Sequence, residues 1–144
     1  SYPSIGKFLG FQFLTDLNYG TGLGFSEMEF VIAGPGAHDG IRKCFGPASN
    51  GIEESVISWM AASQHEHFDR LGLEFQSLFG RPLQLIDAQN LFCEIDKYAR
   101  VAHPDVQGDS GRTRIKQNFT ALDQPQQPQF PPRWDLAAGV NSAA

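Results

Sequence analysis

Three groups of residues in this sequence have types and spacings that could do chemistry. The first is Gly34-Pro35-Gly36, inside VIAGPGAHDGIRKCF. Glycine lets a backbone come close to a ligand. A helix beginning after Gly36 would turn the N–H groups of Ala37, His38 and Asp39 outward together. Those amides and the helix dipole suit an anion such as a phosphate. Arg42 and Lys43, one turn on, add positive charge. Asp39 works against them, and Pro35 has no N–H to give. The same stretch also fits a sharp turn between helices with no ligand at all.

The second group is a run of cations. Lys97, Arg100, Arg112, Arg114 and Lys116 fall within twenty residues, opposed there by Asp105 and Asp109. Four or five phosphate contacts would give a salt slope near about −4, at roughly −0.9 per contact. The third group is Asp87 with Asp16, Asn18 and Tyr19. Asp87 opens a helix-like stretch, where the dipole favours the ionised form. Such a carboxylate serves as a general base or stabilises positive charge on a sugar carbon, or is only a cap. Asp16, Asn18 and Tyr19 offer hydrogen bonds and a ring to a pyrimidine, or simply close a helix. His65-Glu66-His67 puts its histidines two apart, on different faces of a helix, unlike H-E-x-x-H. No metal and no cofactor is expected.

These residues need elements to hold them, and the apolar spacing supplies helices. Ile5, Leu9, Phe13 and Leu17 recur every four residues over a helix at 4–17. Ser26 and Glu29 form the S-x-x-E of a capping box, with Phe25 and Phe30 at the staple positions, for a helix ending near Ala33. A short helix is expected over 37–45. A longer one over 51–71, capped by Asn50, carries Ile52, Val56, Trp59, Met60 and Phe68. A short one is expected over 75–79. Asp87 is read as the N-cap of the next, stapled by Ile86 and Leu91, with Leu91, Ile95 and Tyr98 as its buried stripe. Residues 111–122 are expected to form a last, partly basic helix. No alternating strand pattern appears, so the fold class is all-α: a compact multi-helix domain with a helix-hairpin-helix-like element. In that element Ile32 is the apolar anchor, Gly34 and Gly36 the hairpin, and Gly40 the small residue where helices touch.

From Gln124 the composition shifts to QPQQPQFPP, an extended tail. The division is a helical domain over 1–122 and a tail over 123–144, with Phe130 and Trp134 able to pin the tail. A chain of 144 residues, 41% hydrophobic and 19% charged, is long enough for one core without staples. Cys44 and Cys93 form no disulfide framework and are expected to be reduced, buried thiols of an intracellular protein, nuclear if eukaryotic. No run reaches the length of a membrane span, so no membrane partner is expected. The net charge of −5 disfavours bulk, non-specific nucleic-acid binding but leaves room for a local basic face.

FQFLTDLNYG, FVIAGPGAHDGIRKCF and LQLIDAQNLFCEIDKYARV together resemble the helical domain of 5-hydroxymethyluracil DNA kinases. That domain type also appears near the pyrophosphorylases of thymine hypermodification. The resemblance covers about residues 8–119. It implies DNA, with a modified thymine, as a partner, and a P-loop kinase or other modification enzyme as another. The chain has no G-x-x-x-x-G-K-[ST], and Gly20-Thr-Gly-Leu-Gly24 lacks its lysine. A weaker echo reaches the helix-hairpin-helix DNA glycosylases, where Asp87 would match the catalytic aspartate, though at a longer spacing from Gly36.

Three functions follow as expectations. The first is a DNA-binding module that grips the backbone through Gly34, Gly36, Ala37, His38, Arg42 and Lys43. Lys97 to Lys116 would flank that grip, and a base pocket would be formed by Asp16, Asn18 and Tyr19. The second is an enzyme acting on a modified pyrimidine through Asp87. The third is a helical protein-interaction domain.

Overall fold

The structure is a computed structural model. It describes residues 3–75, 80–116, 120–121, 123–124 and 129–136. Among these are five α-helices and no strand: α1 (Lys7–Tyr19), α2 (Pro35–Phe45), α3 (Glu53–Ala62), α4 (Gln64–Leu71) and α5 (Leu85–Ala102). Short 3-10 turns occupy Gly46–Ser49 and Pro132–Trp134. The chain forms two compact units. One comprises Ser1–Ser26 and Lys116–Ala144, the other Glu27–Ile115.

The second unit is built on α2 against α5, with α3 packed on both. Pro35 sits at the first position of α2, where a missing N–H costs nothing and the fixed φ is already helical. Gly46, at φ +72°, stops the helix in a conformation open to glycine. Two glycines then decide how near the helices come. A Cβ on Gly40 would overlap the Phe92 carbonyl oxygen and lie 2.8 Å from its carbon. A Cβ on Gly36 would overlap the Cys93 sulfur. The α2 backbone therefore lies directly on α5. Ala37, Ile41 and Ile57 are fully buried, joined by Ala61, Leu85, Ala88, Phe92 and Ala99. Each large aliphatic buried this way stabilises the fold by about 1.5–3 kcal/mol.

The start of α5 is fastened twice. The Gln84 side chain and Asp87 form a capping box, in which Asp87 Oδ2 accepts the Gln84 N–H at 2.8 Å. Just upstream, buried Gln64 accepts the Leu83 N–H at 2.7 Å and donates to the Leu83 carbonyl at 3.0 Å. In the first unit, α1 buries Phe11, Thr15 and Asn18. Thr15 satisfies its hydroxyl on the Phe11 carbonyl at 3.0 Å.

Several expectations about elements are corrected. Residues 27–29 form a turn and bend, and 30–34 are extended, so the helix read over 26–33 does not form. The Gly-Pro-Gly turn has a helix on its C-terminal side only. Gly40 does sit where helices touch, but its partner is α5. The long helix read over 51–71 is two helices meeting at Ser63, and Ile52, not Asn50, is the first N-cap. Gln84 is the N-cap of α5, with Asp87 three residues inside. Residues 111–116 are not helical, and 117–119 and 122 lie outside the described residues, as do 76–79 of the helix read over 75–79.

The apolar stripes are corrected too. Ile5, Leu9, Phe13 and Leu17 are exposed, as are Leu91 and Tyr98. Both helices carry apolar residues on two faces, and spacing alone does not say which face turns inward. In α5 the buried face carries Ala88, Phe92 and Ala99, and Gly36 and Gly40 of α2 approach it at Cys93 and Phe92.

Candidate nucleic-acid interface

The N-terminus of α2 is the place to look for an anion site, since helix amides converge there. The structure fills it from within. The Ala33 N–H donates to Glu54 Oε1 at 3.0 Å, and the Gly34 N–H donates to buried Gln89 Oε1 at 3.1 Å. The His38 N–H donates to the Gly34 carbonyl at 3.0 Å. Ala37 has no exposed surface, and Gly36 faces Cys93. The helix starts two residues earlier than the sequence reading has it. Of the amides expected to point outward after Gly36, that of His38 is used within the first turn, and Ala37 is wholly buried.

A carboxylate of α2 is also taken up within the chain. Asp39 is buried in α2 and accepts the Ser110 N–H at 3.0 Å, the Ser110 hydroxyl, and Arg112 through Nε at 3.2 Å and Nη2 at 2.8 Å. Arg112 Nη2 also donates to the Pro35 carbonyl at 2.5 Å. Gly108 passes so close that a Cβ there would meet Asp39 Cγ at 2.6 Å. Burial opposes the Asp39 charge, but the Ser110 and Arg112 bonds outweigh it and hold the carboxyl below its usual range. Nearby, His38 Nδ1 lies 3.0 Å from Glu53 Oε1. Burial likewise opposes Glu53 ionisation, and backbone amides together with His38 reverse it. Residues 108–112 thus form a strap across the start of α2.

The cations expected to grip phosphate are mostly engaged with the protein. Lys43 Nζ lies 3.0 Å from Asp96 Oδ1, both buried, and Arg100 pairs with the same carboxylate. Arg42 meets Asp109 at 3.2 Å and Lys97 meets Glu94 at 2.5 Å. Arg112 lies 2.8 Å from Asp39 and 3.8 Å from Asp96. Arg114 and Lys116 are exposed and are in no ion pair among the described residues. Arg100 Nη1 donates to the Arg114 carbonyl at 2.8 Å, so the main chain at Arg114 is anchored.

Asp87 and the base-pocket residues Asp16, Asn18 and Tyr19 lie in different units. Burial pushes the Asp87 carboxyl up, the Gln84 amide lowers it, Glu27 raises it and Arg81 lowers it, with a net rise. Asp16 is exposed and Tyr19 half-buried. Asn18 is buried with both ends of its amide in use: Nδ2 donates to the Phe25 carbonyl at 3.1 Å, and Oδ1 accepts Arg133. His67 Nε2 lies 3.0 Å from the Ser63 hydroxyl, and its ring meets Trp59 edge-on at 4.8 Å. Among the described residues no three His, Cys, Asp or Glu side chains are grouped to hold a metal ion. None of the helices described is long and apolar enough to cross a membrane.

Sequence reading misses Glu54, Gln89, Asp96 and Ser110, which do the satisfying. One signal for two of them is present. Gln89 and Asp96 interrupt the spacing Leu85, Phe92, Ala99 on the inner face of α5. A polar residue there needs a buried partner.

A family model described as the helical domain of 5-hmdU DNA kinase matches residues 1–108. No curated protein and no solved structure matches.

Proposed function

The chain belongs to the family of 5-hmdU DNA kinase helical domains, and from that membership we propose that it is the DNA-engaging, non-phosphorylating module of a system that phosphorylates 5-hydroxymethyluracil in DNA. The sequence has no G-x-x-x-x-G-K-[ST], so nucleotide binding is proposed to come from a P-loop kinase domain of that system.

The observation that supports the DNA half is the extended segment following α5. Its backbone is fixed by Asp39 and Arg100, while it displays Arg114 to solvent. A fixed main chain carrying a free guanidinium suits contact with a phosphate, which positions a protein on DNA without reading sequence. In this reading the Gly-Pro-Gly turn is the scaffold under that segment, and phosphate is met by Arg114 and the nearby cations. The test is binding to plain duplex and to duplex bearing hydroxymethyluracil at several salt concentrations. Arg114→Ala is expected to weaken both and to flatten the salt slope by about one contact. If neither duplex binds even at low salt, the reading falls and a protein-interaction role replaces it.

One observation favours a second reading, an enzyme using Asp87 on a modified pyrimidine. Asp87 lies partly buried in the first turn of α5, where burial pushes its carboxyl up. Its discriminator is chemical change of the modified DNA on incubation, lost in Asp87→Asn.

A further inference from the structure

We propose that the C-terminal end of α1 is a peptide-recognition site, and that the chain's own Pro131–Trp134 segment occupies it as a detachable latch. Two different chemistries meet there. Arg133 Nη1 donates to Asn18 Oδ1 and also approaches the Asn18 carbonyl at 3.4 Å. That carbonyl is among the last of α1, where the helix dipole is negative and suits a guanidinium. Beside it the Trp134 ring meets Tyr19 edge-on, with centroids 5.9 Å apart and planes at 82°.

The receiving side is prepared before the ligand arrives. The Asn18 amide is buried, and its Nδ2 is tied to the Phe25 carbonyl at 3.1 Å. That bond leaves Oδ1 facing the guanidinium. The ligand side is also pre-shaped. Two prolines precede the arginine, and the Trp134 N–H closes one turn on the Pro131 carbonyl at 2.9 Å. Fixed proline dihedrals lower the cost of ordering a short peptide.

Site and ligand fall on different sides of the family boundary. Asn18 and Tyr19 lie inside the residues 1–108 that match the family, and Arg133 and Trp134 lie beyond them. The partner class follows: a short peptide whose 3-10 turn carries an Arg-aromatic pair after proline, supplied in cis by this tail. The inference is independent of the DNA reading. It has one bearing on it, because Asn18 and Tyr19 meet another ligand only after the latch lifts.

The experiment uses the full chain and a labelled peptide of residues 129–136, read by fluorescence anisotropy. Arg133→Ala with Trp134→Ala empties the site and is expected to bind the peptide. The unsubstituted chain should bind it at least ~10-fold more weakly, because a tethered segment acts at an effective concentration of order mM. Adding Tyr19→Ala to the double variant should remove binding, with helical circular dichroism retained. A peptide lacking its Arg and Trp should not bind. Equal binding to both chains, or binding to neither while both stay helical, would overturn the proposal. A dimer in light scattering that the double substitution dissolves would overturn the cis assignment.

Discussion

The glycines show at residue scale how one substitution takes opposite signs. Gly10 lies within α1, and a Cβ there meets only Ile5 Cγ2 at 3.8 Å, an ordinary contact. Gly10→Ala should therefore stabilise by about 0.5–1 kcal/mol, the usual gain over glycine in a helix. Gly40→Ala forces a methyl into the α5 backbone, which has no side chain to swing aside. It should cost about 2 kcal/mol or more, read from denaturant midpoints. Asp39 gives a pH signature. Its folded pKa lies below the unfolded value of about 3.9. The stability it contributes is fully present above that value and is lost as pH falls through the folded one. Acid unfolding should be shallower in Asp39→Asn than in the unsubstituted chain, with the two curves parallel above about pH 5.

At the scale of elements, α5 carries the second unit. Its inner face holds a buried carboxylate, Asp96, between Lys43 and Arg100. Asp96→Asn leaves two buried cations without their counter-charge and should destabilise by about 3–5 kcal/mol. Repacking all three with apolar groups should cost far less. Calorimetry on both variants checks this. Much of α2 and α5 was legible in the sequence. Pro35, Gly46 and His103-Pro104 mark their ends, and Gly40 was read as a contact glycine. What was not legible is which face is buried. Leu91 and Tyr98 fit the apolar period as well as Ala88 and Phe92 do, and only the partner helix distinguishes them. The bonds around the candidate site were hidden for a related reason. The sequence shows Gly-Pro-Gly but not that Glu54 and Gln89, far along the chain, accept the N–H groups of Ala33 and Gly34. Nothing local in the sequence pairs Glu54 with Ala33.

For the whole molecule the electrostatic picture changes most. Of the seven cations named for DNA, Arg42, Lys43, Lys97, Arg100 and Arg112 face carboxylates of the chain, leaving Arg114 and Lys116. Two contacts predict a salt slope near about −1.8, so raising salt fourfold should weaken duplex binding about 12-fold. Four or five would weaken it by about 250-fold. Titration at 50 and 200 mM salt, concentrations spanning about that fourfold range, separates the two. The strap has a further consequence, for how the molecule is made. Asp39 bonds Ser110, 71 positions later, and the glycine face of α2 has its partner only once α5 exists. At about 5–20 residues per second, a ribosome takes roughly 4–14 s to synthesise that interval. Over that time the nascent α2 exposes its glycine face to the chaperones around the exit tunnel. Stalled chains ending before α5 should bind such chaperones, and chains reaching past Arg112 should release them.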